Sequence, residues 1–471
     1  MPQPHTVNSK HLWHLIAVIA IAFGFFLVGL DRITVPTVDG AVRASMARHI
    51  VSTGQFWPIV YEGQVFTDHP PLYLWLTVLS YKVFGMNDFA VNLVPRLFAF
   101  LTVIITALIA LQAGYSRGVA LAAALILCLT RDFVLSSVRG YIEPVLEFFI
   151  YAALYFTLIF TQRRRLWSAA LAGIMVWLAA YSKGPVALWP FIFCMIFIRR
   201  PRALAAYLGA FAACTVVWAL WVTTKGHWPY WADYLNKQVL GSALEGRGGA
   251  QRREPLYFAE ILLKYYWPWL PFFGWAVYRA ARARKLAFEH VALLFALGFI
   301  GAFSLMKWKF WYYIAPAYPA MALFIAIDFQ KNISKIFDRP KVAKGLACAA
   351  AAWILIASIL PIRLHHERVP EVMAFKDAIR KSELPGPIWF IHNPGDHNMI
   401  ATSGNWYFER IVEKVVDEQE WMKSKLKAPA WIITGTDYYK SCKAKWCEDS
   451  IMVEATERSA LLHYNARASQ E

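Results

Sequence analysis

Long uninterrupted apolar runs constrain this chain more than any other feature. They recur between residues 12 and 361, and most are about 17 to 25 residues, long enough to cross a hydrocarbon core of about 30 Å as a helix. The runs lie near 12–30, 90–112, 118–134, 146–161, 166–182, 184–198, 203–222, 257–278, 288–305, 310–328 and 345–361, which makes about eleven crossings. Hydrophobic residues make up 58% of the chain and charged residues 17%, far from a soluble globular composition. The expected fold is mainly α, a polytopic transmembrane helical bundle. The 21 Trp and 22 Tyr suit interfacial belts. The first run is too long for a cleaved signal peptide and reads as a retained anchor. Leu72–Gly85 is apolar but short, which suits an interfacial or re-entrant helix rather than a full crossing.

The net charge of +17 is not a nucleic-acid footprint. The basic residues fall in short clusters between apolar runs, not on one basic face interleaved with aromatics. Arg163-Arg164-Arg165, Arg199-Arg200 with Arg202, Arg279/Arg282/Arg284/Lys285 and Lys331/Lys335/Arg339/Lys341/Lys344 all fall on one side under this count, and the positive-inside bias makes that side cytoplasmic. The opposite side then collects the 31–88 loop, the Arg131–Glu143 turn, Lys183-Gly184-Pro185, the 224–256 loop, the Ser304–Lys309 turn and everything after Arg363.

Two domains follow: a membrane core over 1–361, carrying the external loop 31–88, and a terminal segment over 362–471. In the latter, charged residues rise and apolar runs shorten to strand length at Pro387–His392 and Ala430–Thr434, between helical patterns at Val369–Lys381 and Glu409–Lys425. This reads as a small extracytoplasmic α/β domain. Cys128, Cys194, Cys214 and Cys348 lie inside apolar runs as small core residues. Cys442 and Cys447 lie five apart in a polar, externally placed segment, where a disulfide persists.

Ionisable residues at one face of a membrane bundle point to a site. Asp39, Arg43, Asp68, His69, Arg139, Glu143, Lys183, Arg247, Arg252, Arg253, Lys307 and Lys309 gather on the external side. A few acids among many cations suit a phosphate-bearing substrate at the membrane surface, with one carboxylate left to accept a proton.

Four motifs in order then carry a family resemblance. Asp39-Gly40 with a helical stretch to Thr53, followed by Asp68-His69-Pro70-Pro71-Leu72-Tyr73, resembles the first external loop of GT-C glycosyltransferases of the protein O-mannosyltransferase and lipid A aminoarabinose transferase type. Arg139-Gly140-Tyr141-Ile142-Glu143 resembles their second acidic turn, Ser182-Lys183-Gly184-Pro185 their Thr/Ser-Lys-Gly-Pro motif, and Ser304–Pro319 their late Ser, Lys, Tyr-Tyr, Pro, Tyr-Pro pattern. The resemblance covers the transmembrane core. It implies a polyprenyl-phosphate sugar donor, transfer with inversion, and a lipid or glycan acceptor among the membrane lipids.

The resemblance also assigns residues. Asp39 matches the family's catalytic acid, the base for an acceptor hydroxyl; read alone it equally caps the helix near Gly40 or pairs with Arg43 at i,i+4. Arg43 stands one position from the family's Arg and is a phosphate contact or a surface partner. His69 replaces a Lys common in the bacterial turn, and a His is charged only part of the time near neutral pH; it donates to phosphate or fixes the turn beside Asp68. Glu143 stands where relatives carry Asp, either acting directly or partnering Arg139 or Lys183. Lys183 is a snorkelling anchor or a phosphate contact. Lys309, with Tyr313 nearby, aligns with the family's Lys better than Lys307 does. Arg247 and Arg252 sit in a Gly- and Arg-rich loop suited to closing over a donor phosphate.

No cofactor is called for, and a divalent metal is not indicated. The terminal domain favours an acceptor such as lipid A or its core, with protein O-glycosylation as the alternative. A lipid or sugar transporter or flippase is the reading from another class, but transporters place their sites near the midplane between inverted repeats. The expected location is the bacterial inner membrane, with the site outside the cytoplasm.

Overall fold

The computed structural model describes residues 12–30, 38–61, 63–241, 254, 256–282, 288–306, 309–359, 370–381, 387–391, 403–408, 412–415, 418, 421–422, 426, 429–456 and 458–464. The chain divides into two compact units. One joins Met1–Arg32 to Val65–Arg363, and the other joins Ile33–Gln64 to Leu364–Glu471.

In chain order the helices are α1 (Leu12–Phe26), α2 (Val38–Thr53), α3 (Leu72–Phe84), α4 (Asp88–Gln112), α5 (Arg117–Cys128), α6 (Arg131–Val138), α7 (Glu143–Arg163), α8 (Leu166–Lys183), α9 (Leu188–Phe197), α10 (Pro201–Thr224), α11 (Trp228–Asp233), α12 (Tyr257–Tyr265), α13 (Leu270–Arg282), α14 (Phe288–Ser304), α15 (Tyr318–Phe337), α16 (Pro340–Ile359) and α17 (Pro370–Lys381). Of these, all but α2 and α17 belong to the first unit. Their starts follow local chemistry. The Asn87 side chain accepts from the Ala90 amide at 2.9 Å and caps α4, Ser116 accepts from Val119 at 3.3 Å and caps α5, and Pro opens α10 where a missing N–H costs nothing.

The first unit is built on α7, which packs against α4 and α8, while α8 also lies on α10, α5 on α15 and α1 on α16. Gly173 permits the α8–α10 approach, since a Cβ there would collide with the Tyr207 carbonyl. Val216, Val217 and Leu220 of α10 are 55%, 69% and 60% exposed. A helix so apolar on its outward face requires lipid, not water, around it. Among the described residues, five helical runs are long and apolar enough to cross a membrane: Asp88–Gln112, Glu143–Arg163, Leu166–Phe197, Pro201–Thr224 and Trp311–Phe329.

Two expected runs are broken. The one over 118–134 bends by 63° between α5 and α6, where Leu129 and Thr130 leave helical geometry and the Thr130 hydroxyl bonds back to the Ile126 carbonyl at 2.8 Å. The one over 257–278 divides into α12 and α13 around Pro268, which cannot continue a helix's hydrogen bonding. Between the expected runs 166–182 and 184–198 the helix is interrupted, because Gly184 adopts φ 65° and ψ −130°. Cys128 and Cys194 are buried as expected, but Cys348 is exposed on α16, so it is not a core residue.

The second unit holds α2, α17, α18 (Thr436–Ser441), α19 (Lys445–Glu448) and a five-stranded sheet. Its strands are β1 (Ile388–Phe390), β2 (Val412–Lys414), β3 (Ala430–Gly435), β4 (Ser450–Ala455) and β5 (Ser459–Tyr464), in the order β2-β1-β3-β5-β4. β1 runs parallel to β2 and β3, and β5 runs antiparallel to β3 and β4. The helix expected over Glu409–Lys425 is corrected here. Val412–Lys414 is an edge strand, because pairing with β1 buries Val412 to 4% exposure; Glu418, Trp421 and Met422 are helical. Trp421 lies 5.9 Å from Trp389 and 5.7 Å from Trp446, ring to ring, in the core beside the sheet. Cys442 and Cys447 are joined in a disulfide.

Candidate active site

The centre of the first unit's polar site is the start of α7. Glu143 lies in its first turn and is 2% exposed, and Lys183 lies in the last turn of α8. A carboxylate at a helix N-terminus and an ammonium at a C-terminus are each favoured by the helix dipole. The two groups meet, with the Lys183 ammonium donating to the Glu143 carboxylate. The ammonium also sits 5.1 Å from the Tyr312 ring centre and 4.7 Å from that of Tyr313, in cation–π range. Tyr312 stacks at 4.4 Å on Tyr141 from the turn before α7, and Arg139 of that turn lies 5.5 Å over Trp311. Tyr313 packs 5.4 Å from Phe303 and 5.6 Å from Phe310. Lys309, just before this aromatic turn, is 3% exposed.

The Asp68-His69-Pro70-Pro71 turn leads into α3. Tyr230 of α11 donates its hydroxyl to the His69 carbonyl at 3.2 Å, and Tyr73 donates to the Gly140 carbonyl at 3.3 Å. The second contact ties the start of α3 to the turn that presents Glu143. Burial holds the Tyr230 phenol well above its usual pKa, with Tyr234, Tyr181 and the Asp68 carboxylate adding to the shift. It therefore stays a donor at any physiological pH.

In the second unit Asp39 lies in the first turn of α2 and not before it, so it does not cap a helix starting near Gly40. Its carboxylate is 3.9 Å from the Arg43 guanidinium; their side chains are 47% and 11% exposed. One turn on, Arg48 donates to the carbonyls of Asn405, at 3.3 Å, and Trp406, and its guanidinium lies 4.0 Å over the Trp406 ring. Asn405 also donates to the Tyr61 hydroxyl at 3.2 Å and accepts from the Val412 amide at 2.6 Å. These bonds join the 33–64 segment to the C-terminal fold. Arg247, Arg252, Arg253 and Lys307 lie outside the described residues.

Among the described residues, Glu147, Arg96 and Asp132 are buried charges that escaped the sequence reading. Glu147, one turn beyond Glu143, is fully buried, and neither carboxylate oxygen has a hydrogen-bond partner among the described residues. Arg96 on α4 is 2% exposed. Asp132 accepts from Arg131 at 2.7 Å and from the Tyr318 hydroxyl at 3.2 Å. The available signal was a charge inside an apolar run, which in membranes marks a functional position by default. Among the described residues no group of three or more His, Cys, Asp or Glu is placed to hold a metal ion.

Residues 68–224 match the family described as dolichyl-phosphate-mannose-protein mannosyltransferase. A protein of uncharacterised function from Aquifex aeolicus (strain VF5) is 27% identical over 91% of this chain and 94% of its own length. The undecaprenyl phosphate-alpha-4-amino-4-deoxy-L-arabinose arabinosyl transferase of Aeromonas salmonicida (strain A449) is 23% identical over 70% of this chain, and the match spans 61% of that enzyme's length. The fold is shared with ArnT from Cupriavidus metallidurans bound to undecaprenyl phosphate, with a TM-score of 0.73 at 16% identity, covering 96% of this chain and 98% of that one. The mannosyltransferase match thus falls on the Asp68-His69-Pro70-Pro71, Glu143 and Lys183 motifs, and the chain has the fold of ArnT.

Proposed function

We propose that the chain moves a sugar from a polyprenyl-phosphate donor to an envelope lipid, such as lipid A or its core, with inversion at the anomeric carbon. The observation that carries this reading is the match to enzymes named for undecaprenyl-phosphate aminoarabinose transfer, on a fold whose ArnT representative binds undecaprenyl phosphate. The acceptor hydroxyl gives its proton to Asp39, its oxygen attacks the anomeric carbon, and the bond from that carbon to the phosphate oxygen breaks as polyprenyl phosphate leaves. Cations offset the charge on the departing phosphate. Lys183, Lys309, Arg43, Arg247 and Arg252 are assigned that task, with Glu143 holding Lys183 in place and Asp68 and His69 shaping the first turn. About eleven crossings, a periplasmic reaction centre and an extracytoplasmic C-terminal domain complete the proposal; the one-sided basic clusters support that orientation.

Protein O-glycosylation is the second reading, favoured by the mannosyltransferase match over 68–224. The full-length protein, purified in detergent and given an undecaprenyl-phosphate sugar, separates the two. Release of undecaprenyl phosphate with a glycosylated lipid product is the expected result. Turnover only with protein acceptor would select the second reading, and no donor consumption with either acceptor would end both. Mass spectrometry of envelope lipids and glycoproteins with and without the protein names the sugar.

A further inference from the structure

A cavity lies at the far end of the first unit's helices. It has a volume of about 580 Å³ and is walled by α7, α9, α14 and α15, with Tyr151, Leu158, Phe197, Val291 and Leu294 on its sides. That volume is within the usual range of about 300–1,000 Å³ for ligand sites. At 1.5 Å per residue, its α7 wall begins about 12 Å from Glu143 at Tyr151 and ends about 27 Å away at Thr161. The cavity is therefore remote from the Glu143–Lys183 pair.

Its length along α7 is about 15 Å, half of a hydrocarbon core of about 30 Å, which is one leaflet. Its mouth carries Ile196 and Leu294, 43% and 58% exposed. Such a mouth opens onto acyl chains. Arg199 is among the lining residues, its Nε donating to the Ile196 carbonyl at 2.6 Å, so that the guanidinium is held just beyond the end of α9. Arg163 at the end of α7, Arg164 and Arg165 just after it, and Arg200 and Arg202 at the start of α10 are exposed at neighbouring helix ends. Basic pockets between transmembrane helices suit anionic lipid headgroups.

We propose that this groove is a binding site for an anionic glycerophospholipid, with one acyl chain along α7 and the headgroup phosphate on Arg199. The apolar wall sets the chain and the arginine selects the charge. A polyprenyl chain is much longer than a one-leaflet groove, so the donor lipid is not the occupant. The lipid fills space between α9 and α14 and braces the helices that carry the catalytic turns at their other ends.

The test is native mass spectrometry of the full-length protein, released from detergent after incubation with equimolar phosphatidylglycerol and phosphatidylcholine of matched chains. Phosphatidylglycerol is expected to be retained in preference by about fivefold or more, and Arg199→Gln to remove about fivefold of that preference. Leu158→Trp, which fills the groove, is expected to lower both adducts without shifting the unfolding temperature of the lipid-free protein. If that variant does not fold, Leu294→Trp at the exposed mouth gives the same readout. Equal retention of the two lipids by the parent, an unchanged preference in Arg199→Gln, or displacement by equimolar undecaprenyl phosphate would each overturn the proposal.

Discussion

Lys183 and Glu143, 40 residues apart, form a buried ion pair at the ends of two adjacent helices, with the Tyr313 ring centre 4.7 Å from the ammonium. Removing one partner of such a pair leaves an uncompensated charge, which costs about 3–5 kcal/mol. Lys183→Met and Glu143→Gln are each expected to destabilise by that amount, and the double variant to recover most of the loss. Tryptophan fluorescence during thermal unfolding in detergent measures it. Fully additive losses would show that the two residues do not act as a unit.

The Asp39 side chain is about half exposed, so its amide variant has little effect on folding. If Asp39 is the base, Asp39→Asn lowers turnover by about 10² or more and nearly preserves donor affinity. If Lys309 and Arg247 contact the donor phosphate, Lys309→Ala and Arg247→Ala are expected to show the reverse pattern, with weaker donor binding and the base left in place. Single-turnover rates and donor titrations separate the two effects. Near-parental turnover in Asp39→Asn would transfer the base role to Asp68 or Glu143.

Gly184 combines φ of 65° with a position at which a Cβ would collide with the Tyr234 hydroxyl. Gly184→Ala therefore strains the backbone by about 1–3 kcal/mol, beyond the collision itself. It is expected to lower the unfolding temperature and weaken donor binding by moving Lys183. Adding Tyr234→Phe restores part of the stability but not all, since the backbone strain remains. Complete rescue would mean that the collision alone was at fault.

In the C-terminal fold, Glu418 accepts from the Tyr438 hydroxyl at 3.0 Å and from the Trp446 indole at 2.6 Å. Burial, followed by the hydrogen bond to Glu418 and its charge, pushes the Tyr438 phenol up to about 12. The unfolded phenol loses its proton near pH 10. This contribution to stability is thus complete below about pH 10 and lost as pH rises through about 12. Tyr438→Phe is expected to flatten the pH dependence of unfolding in that window, measured by tryptophan fluorescence. An unchanged slope would place the titration elsewhere.

The membrane bundle was legible because helix-length apolar runs are a local property: about 20 such residues in lipid have no alternative that satisfies their backbone. The motifs around Asp68, Glu143 and Lys183 were legible for the same reason, as short patterns at helix ends. Local reading failed where partners are remote. The bend at Thr130 depends on backbone geometry that an apolar run does not encode, whereas the break at Gly184 falls between the expected runs 166–182 and 184–198. Strand β2 formed within an expected helix because β1 offered a pairing edge, which no window around Val412 contains.

Sequence alone determined that the chain is a bundle of apolar helices and which short turns carry its charges. Only the tertiary structure decided that Glu143 belongs to Lys183 rather than Arg139, that Tyr141 stacks on Tyr312, and that the 33–64 segment bearing Asp39 is bound through Arg48 to Asn405 and Trp406. Helix formation is settled within a few turns of chain. The pairing of buried charges is settled by which helix ends packing brings together, and that information is spread over the whole sequence.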